Sequence, residues 1–73
     1  MIIAIEKQIK ELEKKIVNGK EALDWMINQI RDELKCEPEN INIDKIMDMI
    51  AGFHGARCGL IRMEKTLEML KSN

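Results

Sequence analysis

The stretch IDKIMDMIAGFHGARCGLIRMEKTLEMLK, residues 43–71, decides the fold. Within it Ile46, Met49, Phe53, Ala56, Leu60, Met63, Leu67 and Leu70 recur at steps of three and four with no polar interruption, the period of a helix face held against another helix. The pattern predicts a helix from about Ile43 to Lys71. On a wheel at about 100° per residue, a second apolar stripe of Ile43, Met47, Ile50, His54, Cys58 and Ile61 lies beside the first, separated from it by Arg57 and Glu64. One hairpin partner cannot cover both stripes. A further helix, from this chain or from another copy, is implied.

Working back toward the N-terminus, Asn42 is a candidate N-cap for that helix, with Asp44 favourably placed in its first turn. The preceding Cys36-Glu37-Pro38-Glu39-Asn40 ends whatever comes before it, because proline lacks the amide donor and biases its predecessor away from helix. Upstream, Ile2, Ile5, Ile9, Leu12, Ile16, Gly19, Leu23, Met26, Ile30 and Leu34 form a second seam, which predicts a helix from about Ile2 to Lys35. Asn18-Gly19 is its weak point. Both residues tolerate the left-handed conformation that ends helices, so the alternative is a break there and three helices in all. The register continues unchanged through the pair, which favours one long helix. Glu6, Lys7, Lys10, Glu11, Glu13, Lys14 and Lys15 lie between the seam positions and read as a solvated face.

The predicted fold is therefore all-α, a long antiparallel hairpin of helices at about 2–35 and 43–71, forming a single domain over 1–73 and assembling into a homo-oligomeric bundle. Composition agrees with it. Of the 73 residues 45% are hydrophobic, 34% charged and 3% aromatic, with one Pro and no Tyr, which excludes disorder, collagen and a β-sandwich. A chain this short rarely builds enough core alone and recruits a disulfide, a metal or another subunit. The net charge of −1 provides no global field toward phosphate backbones or anionic lipid. Met1 to Ile5 is too short an apolar run for a signal-peptide core or a membrane span, so the expected compartment is the cytoplasm, with no membrane partner and both cysteines reduced.

A loop centred near Glu39 and Asn40 sets Trp25 opposite His54 and the glycine-rich stretch of Gly52, Gly55 and Gly59. The first reading is that Gly52, Ala56 and Gly59 let the helices approach closely around Trp25, and the second is that the missing side chains leave a ligand pocket. The same geometry leaves about the first seven residues, including Ile2, Ile3 and Ile5, beyond the end of the second helix. Exposed isoleucines in a row call for a partner. Cys58 stands about 20 Å along its helix from the loop that carries Cys36, which rules against an internal disulfide.

Little here suits catalysis. There is no nucleophile-base-orienter set, no phosphate-cradling loop and no Tyr, so the chain reads as a non-enzyme without a cofactor. His54 and Cys58, four residues apart on one helical face, have the spacing of a divalent-metal pair but lack a third ligand within the chain. No intrachain metal site is expected, and one shared between subunits stays open. For an anion, Arg57 between the two stripes, His54 one turn before it and Lys65 beyond Ile61 are the candidate ligands, with Trp25 as a stacking surface. The plainer reading of Arg57 is a snorkelling side chain paired to a carboxylate such as Glu64 of a neighbouring copy.

Ile27-Asn28-Gln29-Ile30-Arg31 in the first helix, and Ala51-Gly52-Phe53-His54 followed by Gly59 and Arg62 in the second, resemble the helical hairpin of phage-encoded sponge proteins that sequester cyclic-nucleotide immune signals. The resemblance covers about half of the chain. It implies an oligomer of hairpins that holds a small anionic signalling nucleotide at subunit junctions, an anti-defence inhibitor. Other classes compete with it. A small inhibitor or adaptor docking a helical face onto a host protein suits the six Met residues, and a purely structural coiled coil is sufficient to explain the two seams. A helix-turn-helix over Asp44 to His54 with Gly52 in the turn is the nucleic-acid alternative, and the unbroken seam and sparse basic neighbourhood weigh against it.

Overall fold

A computed structural model describes the backbone of residues 2–72 and the side chains of 4–72. Two long helices, α1 (Ile2–Leu34) and α2 (Ile43–Ser72), pack against each other as a hairpin, joined through a single 3-10 turn at Pro38–Asn40. No strand occurs among the described residues. Both helices match the periodicity to within a residue at each end. α1 runs unbroken through Asn18 and Gly19, and no glycine among the described residues takes a positive φ. The three-helix alternative is therefore set aside.

The turn follows from its residues. Pro38 opens the 3-10 turn, where its missing N–H costs nothing, and the amides of Asn40 and Ile41 donate to the carbonyls of Glu37 and Pro38 at 2.8 and 3.4 Å. The Lys45 amide then donates to Asn42 Oδ1 at 3.0 Å, so Asn42 caps α2 as its sequence context predicts. Asn42→Ala should cost the hairpin about 1 kcal/mol, read as a lower midpoint in urea unfolding.

Ile16 of α1 and Ile46 and Leu60 of α2 form the buried core, and the remaining seam positions from Ile9 to Ile30 and from Met49 to Leu70 are half-buried. Ion pairs cross the hairpin from Lys45 to Glu33 at 2.6 Å, Lys71 to Glu13 at 3.4 Å and Lys20 to Glu64 at 4.0 Å. Each is solvated and worth well under about 1 kcal/mol. They select the alignment more than they hold it.

Burial stops at that seam. Ile43, Met47, Ile50 and Ile61, the apolar members of the second stripe apart from Cys58, are exposed, as are Leu34 and Ile5. The side chains of Ile2 and Ile3, expected in the same overhang, lie outside the described residues. The molecule measures 59 × 14 × 13 Å with a radius of gyration of 17.0 Å, whereas a compact chain of this length has about 11 Å. Its accessible surface is 6096 Å², against about 4,700 Å² for a compact monomer of 8.5 kDa. No helix among the described residues is long and apolar enough to cross a membrane.

Candidate functional site

In the third of the hairpin nearest its turn, Trp25, Met26 and Gln29 of α1 and Met49, Gly52 and Phe53 of α2 line a groove of about 300 Å³. Its walls arise from the two seams. Met26, Met49 and Phe53 are seam residues, whereas Trp25 lies one position off the α1 seam and stands 63% exposed. A tryptophan that open is uncommon, since its ring buries a large apolar area wherever it can. Across from it Gly52 contributes no side chain, and a Cβ added there would meet no atom within 4 Å. The space at Gly52 is open. Gln29 is the one side chain of the lining able to both donate and accept a hydrogen bond. The groove can therefore take a flat apolar or heteroaromatic ring against Trp25 and Phe53 and read one polar edge.

The glycines are where the first sequence reading is corrected. A Cβ at Gly52, Gly55 or Gly59 would touch nothing within 4 Å, so these positions do not bring the helices together around Trp25. Close approach occurs instead at Gly19, where an added Cβ would stand 3.3 Å from Leu60 Cδ1 and 3.7 Å from Met63 Cε. The reason is rotational. Gly52 and Gly59 sit at the edge of the α2 seam and Gly55 on the flank beyond it, while Gly19 is itself a seam position.

Of the candidate ligands, Trp25 lines the groove, and His54, Arg57 and Lys65 do not. His54 and Arg57 are displaced from Gly52 by about 140–160° around α2, so one chain cannot direct them into the space beside Trp25. All three are exposed. Arg57 and Lys65 make no ion pair among the described residues, and Glu64 faces Lys20 of α1 instead. His54 Nε2 lies 3.7 Å from Cys58 Sγ one turn on. Cys36 and Cys58 are both free thiols.

Met26, Met49 and Phe53 are groove residues that the sequence reading assigned to packing, and Gln29 entered it only within the sponge-protein resemblance. Their signal was present in part: Met26 and Met49 occupy facing seam positions beside a glycine, which leaves space. α2 continues through Gly52, so the turn of a helix-turn-helix is not formed. Among the described residues there is no buried polar side chain and no group of three or more metal-ligating side chains. Comparison with protein-family models, curated proteins and solved structures finds no match to the chain.

Proposed function

We propose that the chain is a non-enzymatic, self-associating helical module that holds a small anionic ligand with a planar ring, such as a signalling nucleotide, where its copies meet. The half-open groove beneath Trp25 carries this reading: its volume of about 300 Å³ and its paired aromatic walls suit one ring. The charge of such a ligand needs a second copy. Arg57 and Lys65 have no carboxylate partner among the described residues of their own chain and face away from the groove, so a neighbouring hairpin must supply the cations. The surface left uncovered in one hairpin supports association on independent grounds. The sponge-protein resemblance implies the same arrangement, an inhibitor acting by sequestration.

The exposed row of Ile43, Met47 and Ile50 favours a second reading, in which the hairpin docks this face onto a host protein as an inhibitor or adaptor. Isothermal titration with mono- and cyclic nucleotides separates the two. Binding heat with at least one nucleotide is expected, lost in Trp25→Ala and weakened in Arg57→Ala, with Trp25 fluorescence responding in the wild type. Silence across the panel transfers the weight to protein docking.

A further inference from the structure

The exposed face of α2 has a symmetry of its own. Ile43, Met47, Ala51, His54, Cys58, Ile61, Lys65 and Met69 lie on the side opposite α1, and their spacing is palindromic about Ala56. Ile43 and Met69 are equidistant from that residue, as are Met47 and Lys65, Ala51 and Ile61, and His54 and Cys58. When two identical helices pair antiparallel about a two-fold axis, each residue faces the one equally far on the other side of the axis. Such pairing sets Ile43 against Met69, Ala51 against Ile61 and His54 against Cys58 of the other copy, with Met47 beside the stem of Lys65.

From this placement we infer that a second copy packs its α2 antiparallel against this face, with the two-fold axis level with Ala56. The two His54–Cys58 pairs then close a four-coordinate Cys2His2 site for a thiophilic divalent metal, Zn2+. The inference rests on the self-association proposed above and is independent of the nucleotide.

Three observations carry it. The first is the geometry of the pair. A tetrahedral zinc with Zn–S of about 2.3 Å and Zn–N of about 2.05 Å sets sulfur and nitrogen about 3.6 Å apart, and His54 Nε2 already stands 3.7 Å from Cys58 Sγ. Half of the coordination sphere is preformed on one helix turn. The two-fold axis brings the other half to the same level, which supplies the ligands that one chain lacks.

The second is charge. Asp44 and Asp48 occupy one flank of the stripe in its N-terminal half, and Arg62 occupies the same flank in its C-terminal half. None of them has an ion-pair partner among the described residues of its own chain. Antiparallel pairing sets Asp48 beside the Arg62 of the other copy, within about half a turn. Parallel pairing would place the two copies of this flank on opposite sides of the interface, so Asp48 and Arg62 would not meet.

The third is area. The hairpin exposes about 1,400 Å² more than a compact monomer of its mass, and a standard interface takes about 800 Å² from each partner. Gly55 lies beside His54 and Cys58 on the same flank, and no described atom of its own chain stands within 4 Å of where its Cβ would be. A second helix can approach there.

The test uses the full chain, stripped of metal with a chelator and kept reduced, titrated with Co2+ and then Zn2+ while sedimentation velocity follows its mass. The expected result is one metal per two chains, with the intense visible bands of tetrahedral thiolate-bound cobalt, displaced by Zn2+, and a dimer that tightens on loading. Cys58→Ser and His54→Ala should lose the tetrahedral cobalt spectrum while keeping their helical circular dichroism, because both side chains face away from α1. Cys36→Ser should keep it. A dimer that ignores both metals overturns the zinc site and leaves self-association standing, and a chain that stays monomeric at every concentration with and without metal overturns both. Cobalt bound with an octahedral spectrum, or equally by Cys58→Ser, overturns the site as well.

Discussion

Leu60→Ala is expected to lower the thermal midpoint of the hairpin by roughly 15–30 °C, the equivalent of about 4 kcal/mol in a domain of this size. Leu60 is one of the three buried side chains among those described, and the other two, Ile16 and Ile46, belong to other levels of the seam. Opposite it stands Gly19, with no side chain to move into the space that truncation would leave. A cavity that cannot collapse puts the cost at the upper end of the usual range. Total stabilities of about 0.05–0.15 kcal/mol per residue leave such a variant near the unfolding threshold at room temperature. Far-ultraviolet circular dichroism against temperature measures this directly. The neighbouring Ile61→Ala is the control: Ile61 is 41% exposed on the opposite face, so its truncation should change the fold of an isolated hairpin by under about 0.5 kcal/mol and act on association instead. Adding Gly19→Ala to Leu60→Ala should restore part of the loss, because the new methyl group enters the vacated volume and α1 gains helix propensity. The two effects would then be non-additive, as expected of residues in contact.

Periodicity made most of this architecture legible beforehand. The residues at steps of three and four in Ile46 to Leu70 and in Ile9 to Ile30 are all buried or half-buried, since a stripe at that period has one face to hide. The ends were equally readable, because Pro38 and the Asn42 cap act through local chemistry. Asn18-Gly19 was ambiguous for a physical reason: its intrinsic tendency to end a helix competes with the packing of Gly19 against Leu60 and Met63, and the packing prevails. The role of the other glycines was misread because loop position sets which residues share a level and says nothing of rotation about the helix axis. Gly52 does share a level with Trp25, but its missing side chain opens part of the groove instead of bringing the helices into contact. The same rotation separates His54, Arg57 and Lys65 from Trp25. Wheel positions alone could have shown that separation, whereas Gln29 and Phe53 as walls of one groove required the helices to be placed.

Replacing Gly52, Gly55 and Gly59 together by alanine should raise the stability of the single hairpin by about 2–3 kcal/mol, a gain of roughly 10–20 °C in midpoint. All three lie inside α2 with helical φ, and a methyl group at any of them would meet no atom within 4 Å. Alanine therefore brings its full advantage in helix propensity and restricts the unfolded chain, without a clash to offset it. Gly19→Ala has the same propensity term but must displace Leu60 Cδ1 by a few tenths of an ångström, so a smaller gain is expected there. What the triple variant does to mass and ligand is the informative part. Gly52 borders the groove and Gly55 borders the His54–Cys58 face, and added methyl groups there narrow the space a ring or a second helix would use. A variant that is more stable as a monomer, yet associates more weakly and loses cobalt, would place the need for these glycines outside the chain. A variant that gains stability and associates as the wild type does would instead leave them as tolerated helix weaknesses, of the kind proteins near a stability threshold commonly carry. Denaturant unfolding at low concentration combined with sedimentation at high concentration reads both quantities from one preparation, and only the first of these outcomes ties the open flank of α2 to assembly.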